Sequence, residues 1–142
     1  MTIEEIKIAN TTAAFEPRLD YVITKLPRFP FDKFTTAYNV LGTQMKATGE
    51  VMGIGSNLEE CLLKSVRSLE TGVCHFYLAK FDDMSEAELI EYIKEFKDDN
   101  LFAVAQLMRL GVSIEKLHEV TKITEFFLKA VENIVKMENK VK

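Results

Sequence analysis

Apolar and polar positions recur in two rhythms along this chain, a short extended one in the first half and a helical one in the second. The densest stretch runs from Asn100 to Gly111, where between Leu101 and Leu110 only Gln106 and Arg109 are polar. A surface helix keeps polar residues on roughly half its circumference, so a helix here has no wet face and other segments must enclose it. Its apolar side chains supply on the order of 10 kcal/mol of gross burial, more than one neighbour could capture. Gly111 provides a left-handed stop, and Ser113 can cap the next helix.

The remaining elements follow in order. Thr2 and Glu5 have the spacing of a capping box, which predicts a short helix over Met1 to Ala9 with Ile3 and Ile6 inward. Phe15-Glu16-Pro17 breaks it. Asp20 to Leu26 carries Tyr21, Val22, Ile23 and Thr24, a β-branched and aromatic run that reads as a strand closed by Pro27 and Pro30. Phe29, Phe31 and Phe34 are too crowded for a solvated loop and should pack on a surface. A second extended segment centres on Glu50 to Ile54. Ser56 and Glu59 form a second capping box, opening a helix with Leu58, Leu62, Val66 and Leu69 on one face and Gly72 at its end.

Val73 to Asp83 is irregular and marks a boundary between two units. Beyond it Ser85 and Glu88 cap a helix with Leu89, Ile90, Ile93 and Phe96 inward. Asp98, Asp99 and Asn100 end that helix and cap the enclosed one. A short helix covers Ile114 to about Val120. Thr124 starts the last helix, whose stripe is Phe127, Val131 and Ile134 before a Lys-rich end at Lys136 to Lys142. The second unit is thus four helices around one core.

Composition narrows the classes. A chain of 142 residues with 47% hydrophobic content can bury a core. It has no run of eighteen apolar residues, and Met1-Thr2-Ile3-Glu4-Glu5 lacks the regions of a signal peptide, so neither membrane insertion nor export is expected. Cys61 and Cys74 stand thirteen positions apart without a second pair, which encodes neither a zinc site nor a disulfide framework; both read as reduced, partly buried thiols. Six scattered methionines read as gap fillers.

Candidate chemistry is sparse. Gly53-Ile54-Gly55-Ser56, at a strand-to-helix junction, has the outline of a phosphate cradle. A dinucleotide fingerprint needs a third glycine where Leu58 stands, and a P-loop needs Gly-Lys before Ser or Thr, so a plain tight turn is the better reading. Val104 to Leu128 can be read as a helix-turn-helix DNA module. Residues 73 to 142 carry ten Lys and Arg against thirteen Asp and Glu, however, a balance of −3 that disfavours a groove-binding face. His75 and His118 are too few for a multi-histidine metal centre. His118 reads as a capping or packing residue, and His75 beside Cys74 lacks the third partner of a nucleophile and base.

Longer stretches carry a resemblance. Phe15 to Phe29 (FEPRLDYVITKLPRF), Thr43-Gln44-Met45-Lys46 and Gly49 to Gly55 (GEVMGIG) resemble the large chain of carbamoyl-phosphate synthase. Leu107 to Glu115 (LMRLGVSIE), His118-Glu119, Thr121-Lys122-Ile123 and Phe127-Leu128 resemble the helical oligomerisation domain joining that enzyme's two synthetase halves. The likeness spans nearly the whole chain in the family's order.

The resemblance implies an α+β, mainly α fold: residues 1–72 as a small β-containing remnant of the first ATP-grasp unit, and 73–142 as a four-helix oligomerisation domain. It implies a cytoplasmic ligase that makes carbamoyl phosphate from bicarbonate, ATP and glutamine-derived ammonia, for pyrimidine and arginine synthesis. Its partners would be a glutaminase small chain and other large chains, with neither nucleic acid nor membrane among them. ATP and Mg2+ would bind in the full-length enzyme, at a Glu-x-Asn-Pro-Arg type stretch and a glycine-rich loop that do not occur here. No residue is therefore assigned a catalytic, cofactor-binding or metal role, and the fragment is expected to be inactive and structural and to form homo-oligomers. The alternative is a helical protein-interaction or DNA-binding module. Departures are local: Asn39-Val40-Leu41-Gly42 replaces Asp-Arg-Leu, the segment around Ile8 to Asn10 is short, and Glu125-Phe126 stands where the family carries Pro-Trp.

Overall fold

The computed structural model describes residues 1–16, 19–31, 33–34, 36–46 and 48–141. Pro17 and Lys142, named above at a break and at the chain's end, lie outside them. The fold is α+β and mainly helical. Strands β1 (Lys7–Ile8) and β2 (Thr11–Thr12) form one antiparallel pair, and β3 (Val22–Arg28) and β4 (Gly49–Gly55) a second. Helices α1 (Leu58–Ser68), α2 (Glu86–Ile93), α3 (Asn100–Arg109), α4 (Ile114–Thr121) and α5 (Glu125–Val141) follow, with a 3-10 turn at Ala79–Phe81.

The expected helix over the first nine residues is absent. The Thr2 amide does donate to Glu5 Oε2 at 2.9 Å, but the chain then turns into the β1–β2 hairpin through Ala9, whose φ is +47°. Ile3 and Ile6 both stay exposed. One turn of helix is not stable alone, and no surface is offered to its apolar side.

β3 runs on through Pro27 to Arg28 in register with β4, Pro27 opposite Glu50. Proline is tolerated because β3 is an edge strand. Alternation puts Val22, Thr24 and Leu26 of β3, with Val51, Gly53 and Gly55 of β4, on the side that α1 covers. The opposite side carries the cross-strand pair Ile23 and Ile54, with Met52 beside them, and all three are about half exposed.

α1 starts one residue later than the Ser56–Glu59 spacing predicts. Asn57 Oδ1 accepts from the Glu60 amide at 2.9 Å, and the partner of Ser56 is Glu60. The helix also stops at Ser68 with Glu70 in the left-handed region, before Gly72, which serves the following turn.

In the helical half the capping box of α2 forms as expected, the Ser85 amide donating to Glu88 Oε2 at 2.8 Å. α2 ends at Ile93, so Phe96 falls beyond it and is exposed, its carbonyl accepting from the Leu41 amide. α3 is the enclosed helix: Phe102, Ala103, Val104, Ala105 and Leu107 are all buried, although Leu110 at its end is not. Asp99 and Asn100 do not cap it with their side chains. Asp99 accepts from the Tyr92 hydroxyl, at 2.9 Å, and pairs with Lys80, while Asn100 Nδ2 donates backwards to Glu95 O at 2.6 Å. Gly111 has φ +90° and Ser113 caps α4, both as predicted. In α5 the inward stripe is Leu128, Val131, Ile134 and Val135, one position round from Phe127, which stays exposed.

One core joins these parts. Leu62 and Val66 of α1 belong to the same buried cluster as Phe76, Phe81, Leu89, Val104, Leu107, Leu117, Leu128 and Val131.

α1 approaches β4 closely at the two strand glycines. A Cβ on Gly53 would fall inside contact distance of Ser65 Oγ and 2.6 Å from the Cys61 carbonyl oxygen, whereas one on Gly42 would meet nothing within 4 Å. Gly53→Ala should therefore cost about 1–3 kcal/mol in urea unfolding, the range for overpacking a well-filled site. Gly42→Ala should stay within about 0.5 kcal/mol. Equal effects would contradict this packing.

Candidate functional site

Residues 53–56 present the most suggestive local chemistry, so their geometry decides what this region can do. Gly53 and Gly55 lie in strand β4, not in a loop, and each removes a Cβ that α1 would otherwise strike; at Gly55 it would come 2.9 Å from the Cys61 amide nitrogen. The glycines thus serve strand-to-helix packing, neither a tight turn nor an open cradle. Cys61 fills the interface, its Sγ within 3.2 Å of the Val22 and Gly53 carbonyls and the Thr24 hydroxyl. Thr24 Oγ1 and Ser65 Oγ share a hydrogen bond at 2.5 Å behind it.

The start of α1 is an electropositive place where an anion is stabilised. The chain supplies that anion. Glu60 Oε2 accepts from the Ser56 amide and hydroxyl, both at 2.8 Å, and Oε1 pairs with Lys64 at 2.8 Å. Lys64 Nζ in turn donates to the Ile54 carbonyl at 3.0 Å. Lys64 above all, then the Ser56 amide and hydroxyl, hold the Glu60 carboxyl down at about 2. A phosphate approaching this turn would meet a carboxylate already in place.

The second polar cluster joins three separated segments. Arg109, with Asn100 and Gln106 one of the three polar residues of α3, is largely buried and donates through Nε and Nη2 to Glu138 Oε2 of α5, at 3.1 and 2.8 Å. Nη2 also donates to the Phe76 carbonyl at 2.7 Å, and Nη1 to Gln106 Oε1 at 3.2 Å. His75 stacks on Tyr77 at 5.9 Å and places Nε2 3.9 Å from Glu138 Oε1. The Tyr77 hydroxyl donates to Asp82 at 2.5 Å, and that carboxylate raises its pKa. This is a clamp: a forked guanidinium ties α3, α5 and the irregular 73–83 segment together. The spacing of 29 positions between Arg109 and Glu138 gave no sequence signal beyond the presence of a charge on an enclosed helix.

The other residues weighed above fall as follows. His118 Nδ1 bonds the Ile123 carbonyl at 2.7 Å and ties down the end of α4, where Lys122 takes a left-handed backbone. Cys61 is fully buried, but Cys74 is exposed, because the loop that carries it turns Phe76 inward instead. Phe29 and Phe31 stack at 5.5 Å while Phe34 stays exposed, so only two of the three aromatics pack. Met1, Met45, Met52 and Met137 are exposed, and gap filling describes only Met84 and Met108. In α4 Lys116 pairs with Glu86 of α2 at 2.7 Å. Among the described residues no group of three His, Cys, Asp or Glu is placed to hold a metal ion, and no helix is long and apolar enough to cross a membrane.

A family model described as carbamoyl-phosphate synthetase large chain, oligomerisation domain, matches residues 50–142. The chain belongs to this family. The match begins within β4 and so takes in α1 together with the four later helices, the same elements that share the buried core. The carbamoyl-phosphate synthetase large chain is part of a ligase, and the domain's description names assembly rather than chemistry. That agrees with what the two polar clusters do in this structure, which is to fasten elements to one another.

The Glu60 cap has a pH signature. A carboxyl held at about 2 in the folded chain, against about 4.3 unfolded, contributes stability above the unfolded value and loses it as pH falls through the folded one. Carboxyl-detected NMR should give Glu60 a midpoint near 2, and Lys64→Ala should raise it. An ordinary midpoint near 4 would show that the start of α1 is not filled from within.

Proposed function

We propose that this chain is the supporting and joining portion of a carbamoyl-phosphate synthase large chain. Residues 1–72 complete one edge of the first ATP-grasp unit, and residues 73–142 form the helical connector through which large chains associate. The observation that carries this reading is the family match over residues 50–142, whose description is an oligomerisation domain. Two features of the chain support it. Polar groups that could have formed a reactive site are spent on capping and clamping, as with Glu60 and Arg109. The outer face of the β3–β4 pair, with Ile23, Met52 and Ile54, is an apolar patch of the kind a neighbouring layer covers, which suits the margin of a larger domain.

In this reading the parent enzyme makes carbamoyl phosphate in the cytoplasm from bicarbonate, ATP and ammonia delivered by a glutaminase chain, for pyrimidine and arginine synthesis. ATP and Mg2+ are gripped by stretches of the parent other than these residues. The chain's own residues hold the sheet margin to the helical connector, and the rigid core between them fixes the relative placement of whatever each carries.

Incubation of the purified chain with magnesium and ATP should release phosphate at the uncatalysed rate at every ATP concentration. Saturable, magnesium-dependent hydrolysis that co-purifies with the folded chain would overturn the supporting role.

A further inference from the structure

The assembly role proposed above leaves open which face of the connector meets its partner. We propose that two copies of this chain pair across a two-fold axis at the start of α5, each placing Phe126 in the groove between α1 and α5 of the other. The inference rests on that assembly reading and adds the surface to it.

The first turn of α5 presents two adjacent aromatic rings to solvent, Phe126 at 68% and Phe127 at 49% exposure, packed edge to face at 5.4 Å. Scattered single apolar residues on a surface need no explanation, but paired rings in one helical turn form a ready anchor. Directly beside Phe126 is a groove of about 220 Å³. It is lined by Leu58 and Glu59 of α1 and by Phe126 itself, Lys129, Ala130 and Asn133 of α5. That volume is below the roughly 300 Å³ at which small-molecule sites begin, and it suits a single inserted side chain.

A projecting ring and a recess on one patch are what a two-fold interface needs, since each copy must offer both halves of the contact. The charges obey the same rule. Glu59 and Lys129 both line the recess with opposite signs, and in the proposed pairing Lys129 of one copy meets Glu59 of the other. Asn133 Nδ2 donates to Glu59 Oε1 at 2.8 Å and holds that carboxylate at the rim. Lys129 pairs with Glu132 at 2.7 Å but is more than half exposed, and a surface pair of this kind exchanges partners at little cost. Ile23, Met52 and Ile54 on the β3–β4 face and Phe96 beyond α2 are also exposed, but none of them lines the groove beside Phe126.

Sedimentation velocity on the whole 142-residue chain, from about 1 µM to about 1 mM to bracket weak interfaces, tests this directly. The chain should dimerise, and Phe126→Ser should weaken the dimer at least about tenfold, the scale of a central aromatic anchor, with unchanged circular dichroism. Glu59→Lys and Lys129→Glu should each weaken it, and the double variant should restore it; this pair of charge reversals also decides the matter should Phe126→Ser disturb folding. A dimer indifferent to Phe126→Ser and to both reversals would overturn this face while leaving the assembly role standing. A chain that stays monomeric throughout would overturn both.

Discussion

The structure depends on enclosing α3. An isolated helix with Phe102, Ala103, Val104, Ala105 and Leu107 all needing burial would expose apolar surface on every side, and its intrinsic helix propensity does not offset that. The surroundings follow from this need. α2 and α5 pack along α3, Phe76 meets Phe102 edge to face at 5.6 Å, and α4, after the turn that Gly111 makes possible, packs on α5 and α2. Ala103 and Ala105 are small and fully buried, and Phe76 and Phe81 of the 73–83 segment are buried in the same cluster. Arg109 is the one cation on this helix, and its fork finds a carboxylate and a carbonyl because a buried guanidinium left unpaired would be costly.

From that centre the order passes to the sheet. Leu62 and Val66 of α1 enter the α3 core on one side of their helix, and Cys61 and Ser65 meet β4 on the other. α1 is therefore a two-faced layer. Its close seat on β4 needs glycine at 53 and 55, which accounts for a glycine pattern that resembles a nucleotide loop without behaving as one. The same helix satisfies its N-terminal charge with Glu60 from its own first turn.

Much of this was legible in the sequence where the determinants are local. The Ser85–Glu88 box, the Gly111 stop and the Ser113 cap act within one helical turn, the apolar run of α3 is continuous in the chain, and each stands where the residues place it. Non-local choices were not legible. At residues 56–60 two overlapping capping patterns compete, and Asn57 with Glu60 prevails because Lys64 one turn later supports Glu60 and not Glu59. On α5 a stripe through Phe127 and one through Leu128 fit the same periodicity; the core accepts the smaller leucine, and both phenylalanines turn out to solvent. The first nine residues carry a capping signal with no apolar surface to dock on, a condition that no local pattern contains. The Arg109–Glu138 clamp links positions whose partnership depends wholly on how α3 and α5 cross.

Native-state hydrogen exchange most directly tests the claim that a single core binds sheet, α1 and bundle into one unit. The amides of Val66 in α1 and of Val104 and Ala105 in α3 should exchange in the same slowest class, opening only with global unfolding and sharing its dependence on denaturant. Exchange of the α1 amides through a separate, lower-energy opening while α3 remains protected would contradict it.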